Sequence, residues 1–197
     1  MSNITLAPNA AGAATFTIAA PDTGTNPSRI LTLPDATAIL TAQGTALIRS
    51  GVLTASGVNV DFLSAIPSWA KRVTVMVNGL TSGSAMSPVI RIGSGGAVVA
   101  TGYASSAGAI ATGTGAAQDT TGFLQIQTAA TGLSFVSTLV NQTGNLWMAT
   151  GIGSYGTNST VMTFGSITLS GVLDSLRITT LTGVTFTGGT INIMWEG

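Results

Sequence analysis

The stretch "IPSWAKRVTVMVNGL", residues Ile66–Leu80, decides how this chain folds. After Lys71 and Arg72, the residues Val73, Val75 and Val77 alternate with Thr74, Met76 and Asn78. Side chains on a strand point to opposite faces in turn, so the pattern predicts an extended segment with one buried face and one wet face. The period recurs in Val58/Val60/Phe62, Ile90/Ile92, Leu124/Ile126, Leu133–Val140 and Leu146–Ala149. It continues in Val161–Leu169, Leu176/Ile178 and Ile191/Ile193/Trp195. Gly165 falls inside one of these runs and is expected to mark a bulge. No segment has the pattern of an amphipathic helix, and "DFLSAIPSWAKR" is broken by Pro67. The fold class is all-β, with residues 51–197 forming an antiparallel β-sandwich of jelly-roll type.

Residues 1–50 are organised differently. Short extended pieces at 14–19, 29–33 and 37–41 are separated by Pro21-Asp22, Asn26-Pro27 and Pro34-Asp35. Proline presets a turn and a following Asp bonds nearby amides. A few such strands cannot enclose a core alone, so this segment is expected to be an intertwined β stem shared by several copies of the chain.

Composition narrows the function. Charged residues make up only 6% of the 197, against about 25% in an average soluble domain. Six basic residues balance six acidic ones, which leaves no net field to draw nucleic acid or an anionic membrane. The opening "MSNITLAPNAAG" lacks the basic start and apolar core of a signal peptide, and no apolar run is long enough to span a bilayer. A neutral, charge-poor surface suits a chain that is covered by copies of itself.

Chemistry-bearing motifs are sparse. There is no Cys and no His, which excludes disulfides, zinc–thiolate centres, cysteine nucleophiles and His-dependent triads. Gly151, Gly153 and Gly156 match G-x-G-x-x-G, but "TNSTVMTFGSITL" follows where a dinucleotide site needs a helix, so the motif is expected to be a glycine loop. Asp22 and Asp35 belong to turns, Asp61 and Glu196 alternate outward on strands, and Asp119 and Asp174 flank loops. None forms the carboxylate pair that glycoside hydrolysis requires. The chain is therefore expected to be no enzyme and to hold neither cofactor nor metal. Two rings in Gly-rich surroundings, Tyr103 and Tyr155, are the candidate receptor-contact residues, because a ring on a loop offers a ligand a flat apolar face with a polar edge. The same ring can instead pin its loop to the body. Lys71 and Arg72 are expected to form a solvated strand entrance whose charges keep an exposed edge from pairing wrongly.

The chain also resembles a known class. "GVNVDFLSAIPSWAKR" (57–72), the stretch to Leu80 and "RIGSGGAVVATGY" (91–103) look like the C-terminal domain of tail-fibre and related virion proteins of tailed bacteriophages. The ending "GGTINIMWEG" (188–197) is similar to the way such chains end, and "ATFTIAAPDTGTNPSRILTLPDATAIL" (14–40) resembles their shaft segments. "IPSWAKR" is the more specific signature and "LTLPDAT" the commoner one. The resemblance implies a homotrimeric, non-enzymatic fibre on the virion surface, with a stem at 1–50 and a β tip at 51–197. Residues before about Ala14 would contact other virion proteins, and tip loops within Gly93–Gly122 would meet a host glycan or protein. Long fibres carry many shaft repeats and this chain has about one, so the alternative is a capsid decoration, head-fibre or collar protein without a specific receptor.

Overall fold

The computed structural model describes residues 47–110, 116–125, 132–155 and 159–197. Of the stem expected over residues 1–50, residues 1–46 lie outside them. Among the described residues every regular element is a strand. The first three are short: β1 (Ile48–Arg49), β2 (Leu53–Thr54) and β3 (Val60–Phe62). The opening stretch becomes β4 (Arg72–Ser82), followed by β5 (Pro88–Gly93), β6 (Ala104–Ile110), β7 (Ala117–Asp119) and β8 (Phe123–Leu124). Three long strands follow, β9 (Leu133–Thr143), β10 (Leu146–Tyr155) and β11 (Ser159–Thr168). The chain closes with β12 (Ser175–Thr180) and β13 (Phe186–Glu196).

The strands build two antiparallel sheets. The large sheet has nine strands in the order β1-β13-β4-β9-β10-β11-β6-β7, with β2 also on β13, and the small sheet runs β3-β12-β5-β8. Val73, Val75 and Val77 are almost fully buried, as the alternation requires, and they join Ile191 and Ile193 of β13 and Leu133, Phe135 and Leu139 of β9 in the core. Phe62, Ile90, Ile92, Leu176 and Ile178 of the small sheet belong to the same core cluster, so the two sheets share one interior. The arrangement is all-β and consistent with a sandwich. Residues 47–50 are part of this body: Ile48 lies opposite Trp195, and the Ser50 amide donates to the Ile193 carbonyl.

Two glycine expectations change. The register between β10 and β11 runs unbroken through Gly165, opposite Ala149, so no bulge forms there. Gly165 is needed for close approach instead, since a Cβ would stand 2.8 Å from the Phe123 ring and from the Ala104 carbonyl. A bulge does occur in β4 after Val77, where Gly79 takes φ 63°, a conformation open to glycine. Gly151 and Gly153 lie inside β10 and not in a loop, opposite Ser137 and Phe135 of β9.

Gly151 has a further reason. It sits between Ser137 and Thr163 in adjacent strands, and a Cβ there would come 2.3 Å from the Ser137 hydroxyl. That hydroxyl donates to the side-chain oxygen of Gln125, which is 1% exposed. The Gln125 side-chain amide donates to the Phe123 carbonyl at 2.8 Å, its main-chain carbonyl accepts from Thr163 at 3.3 Å, and its amide donates to the Pro88 carbonyl at 2.9 Å. One residue thus bonds β9 and β11 of the large sheet and the end of β5 in the small one. A buried polar group left without its partner costs about 1–3 kcal/mol. Gln125→Leu is expected to lower unfolding free energy by about that amount. Gly151→Ala, which crowds Ser137, should do the same by overpacking, at about 1–3 kcal/mol. Urea denaturation of both variants and of the pair checks this, with the pair less than additive because both break one network.

Candidate functional site

The opening cations are held by strand pairing. Arg72 lies opposite Glu196 on β13 and Val140 on β9, and its guanidinium pairs with the Glu196 carboxylate. The Lys71 amide donates to the Glu196 carbonyl and the Lys71 carbonyl accepts from Asn141, both at 2.8 Å. β4 is therefore an interior strand, and the expected guarding of a free edge is not the role of these charges. They remain a solvated strand entrance. The hydrogen bond and charge of Arg72 hold the Glu196 carboxyl below its ordinary range, and Glu196 raises Arg72 in turn.

The other described carboxylates serve the scaffold. Asp61 accepts both nitrogens of an Arg177 fork, at 2.5 and 2.8 Å, across β3 and β12. Asp174 receives the Ser175 hydroxyl and the Gly96 amide, ordering the turn after β5. Asp119 accepts the amide and hydroxyl of Thr121 at 2.6 and 2.7 Å. Among the described residues no three of His, Cys, Asp and Glu gather as metal ligands would.

The candidate tyrosines separate. Tyr103 is 3% exposed, and its hydroxyl accepts the Ile92 amide at 2.7 Å and points to the carbonyls of Ile92 and Val99 at 3.1 and 3.2 Å. Its ring stands edge-on to Phe123 with centroids 5.0 Å apart. It pins the segment after β5 to the core, and the little of it that is exposed lies in the wall of the cleft over the β11-β6-β7 margin. Burial pushes its pKa up to about 12. Tyr155 ends β10, half-buried against the core. The Gly93–Gly122 segment is more than a loop: its described part contains β6 and β7, paired as Ser105↔Asp119, Ser106↔Gln118 and Ala107↔Ala117.

Two surface features stand out. A cleft of about 550 Å³ lies over the β11-β6-β7 margin, lined by Phe164, Ser166, Ser106, Gln118, Asp119 and Thr120 among others, and Phe164 is 56% exposed in it. The second is the outer face of the large sheet. Met76, Val136, Ile152 and Met162 lie directly opposite one another on β4, β9, β10 and β11, forming one apolar row on the solvent side. The neighbouring row is Thr74, Thr138, Thr150 and Phe164. Sequence reading missed this surface, although its signal was present: apolar residues at the off-phase positions of otherwise alternating strands. No family model, curated protein or solved structure matches the chain.

The tyrosine environment gives a pH prediction. An unfolded tyrosine ionises near pH 10, whereas Tyr103 keeps its proton to about 12. Its stabilising contribution is fully present below pH 10 and is lost as pH rises through 12. Tyr103→Phe leaves the Ile92 amide without its acceptor and should cost about 1–3 kcal/mol at neutral pH. Denaturant melts between pH 8 and 12 should show the wild-type decline and a shallower one in Tyr103→Phe.

Proposed function

We propose that the chain is a structural protein of a tailed-bacteriophage virion: a short homotrimeric fibre whose N-terminal segment joins the particle and whose β body, with jelly-roll-like connections, adheres to the host surface without catalysis. The observation that carries this reading is the "IPSWAKRVTVMVNGL" resemblance, whose first six residues lead into β4 and whose remainder lies on it, a strand paired on both sides within the large sheet. The all-β body and the very low charge support it. So does the use of the described carboxylates in turns and ion pairs.

Receptor contact is assigned to the cleft beside β7, which joins part of the Gly93–Gly122 region to Phe164 and Ser166 of β11 and to which the buried Tyr103 contributes little exposed surface. Phe164 offers an apolar face there, and Gln118, Asp119, Ser106 and Ser166 surround it with hydrogen-bonding groups, a combination suited to a sugar or a polar peptide. Three weak sites on one trimer add avidity without any single strong contact.

Three measurements test the proposal. Light scattering of the full chain should give three times the protomer mass. Antibody labelling of intact particles should mark the tail; a signal on the head would replace the fibre with a decoration or head-fibre protein. Binding of labelled chain to host cells should fall at least tenfold in Phe164→Ala, and unchanged binding would remove the cleft from the adhesion surface.

A further inference from the structure

We infer that the outer face of the nine-stranded sheet is where copies of this chain meet, with the Met76–Val136–Ile152–Met162 row turned toward the symmetry axis. The inference rests on the trimeric reading above and names the surface that makes the oligomer.

The first argument is exposure in the wrong phase. On β9 the inner residues Leu133, Phe135 and Leu139 fill the core, yet Val136 on the solvent side is 46% exposed. Ile152 beside it is 59% exposed. A half-buried sheet normally carries polar residues at these positions. Here several strands in succession carry apolar ones in register, which chance exposure of single residues does not produce.

The second argument is charge. The solvent side of the small sheet carries Asp61, Arg177 and Arg91 in one row. Among the described residues of the large sheet's solvent side, charge lies only at the margins: Arg49 opposite Met194 and the Arg72–Glu196 pair at one corner, and Asp119 beside the cleft at the β7 edge. Symmetric copies that turn one patch toward a common axis bring identical groups together, and identical charges repel. An uncharged face of methionine, isoleucine, valine and threonine is free of that penalty. The small sheet's face is not.

The third argument is size. Six strands, β13-β4-β9-β10-β11-β6, at about 4.8 Å spacing and about 3.4 Å per residue give a face of about 24 by 30 Å, roughly 700 Å². That face, its threonines and serines included, approaches the roughly 800 Å² each partner buries in a stable interface. Three such faces closed into a prism about 24 Å on a side stand about 7 Å from its axis, within reach of the long Met76, Ile152 and Met162 side chains.

The test uses the full chain. Ile152→Lys places a cation on the axis without touching the core, and it should raise the concentration at which the oligomer half-dissociates by at least tenfold in sedimentation or light scattering. Val172→Lys, at an exposed apolar residue in the turn between β11 and β12, should leave the mass unchanged. Thermal melts confirm that both variants fold. Because the chain has no cysteine, Ile152→Cys adds a single thiol, and a short bismaleimide should link it between copies. If the wild type is a trimer and Ile152→Lys remains one with no crosslink, residues 1–46 or another element hold the copies together and this inference is overturned while the fibre reading stands. A wild-type dimer that Ile152→Lys dissolves would keep the interface and discard the trimer. A wild-type monomer would overturn both.

Discussion

The burial of one side of a nine-stranded sheet under a sheet of only four strands is the constraint on which the rest of this protein depends. Val73, Val75, Val77, Ile191, Ile193 and Leu139 line the large sheet's inner side, and Ile90, Ile92, Leu176 and Ile178 meet them from the small one. Hydrophobic burial drives this packing but is non-directional, so it does not by itself set how the sheets are placed. Direction comes from the bonds around Gln125. It reaches Ser137 and Thr163 across the space left by Gly151, while its backbone continues the pairing at Pro88. Tyr103 does similar work nearby, closing the turn after β5 over Phe123. Polar groups in such an interior are costly unless paired, which makes these few bonds strong determinants of sheet placement.

The same constraint explains the asymmetry of the surfaces. A small sheet buries only one side of its larger partner, and the far side of that partner is left outward. On the small sheet the outward positions hold Asp61, Arg91 and Arg177, engaged with one another or with the Thr121 carbonyl. On the large sheet they hold apolar residues and threonine. A chain so poor in charge spends its few charged groups at strand ends, turns and the small sheet. The broad face, charged only at its margins, is the one on which we propose that copies of the chain meet.

The proposed fibre and the proposed interface are separable ideas that meet in this geometry. Adhesion calls for a site repeated around an axis, and oligomerisation calls for a broad face free of self-repulsion. The cleft by Phe164 lies at the β7 margin of the sheet and the apolar row crosses its middle strands. Both lie on one side of the sheet, one row apart, so a contact centred on β4, β9 and β10 leaves the cleft open while closure over all six strands covers it.

Much of the architecture was legible in the chain. Period-two alternation located most of the strands, because a pleated backbone sends successive side chains to opposite faces whatever surrounds it. The absence of Cys and His removed whole classes of chemistry without reference to any fold. Turn residues and alternation, however, are local properties, and they do not say which strands become neighbours. Only the tertiary structure placed β4 between β13 and β9, which turned Arg72 from the guard of an edge into the partner of Glu196, 124 positions along the chain. Only it showed that Gly165 makes room for Phe123 and Gly151 for the Ser137 hydroxyl, since a glycine's reason lies in what approaches it. Tyr103 looked like a loop ring and is a core ring, because Ile92 and Phe123 reach it from elsewhere in the chain. The off-phase Met76, Val136, Ile152 and Met162 are scattered over 87 positions in the sequence. Strand register, a long-range property, is what gathers them into one row.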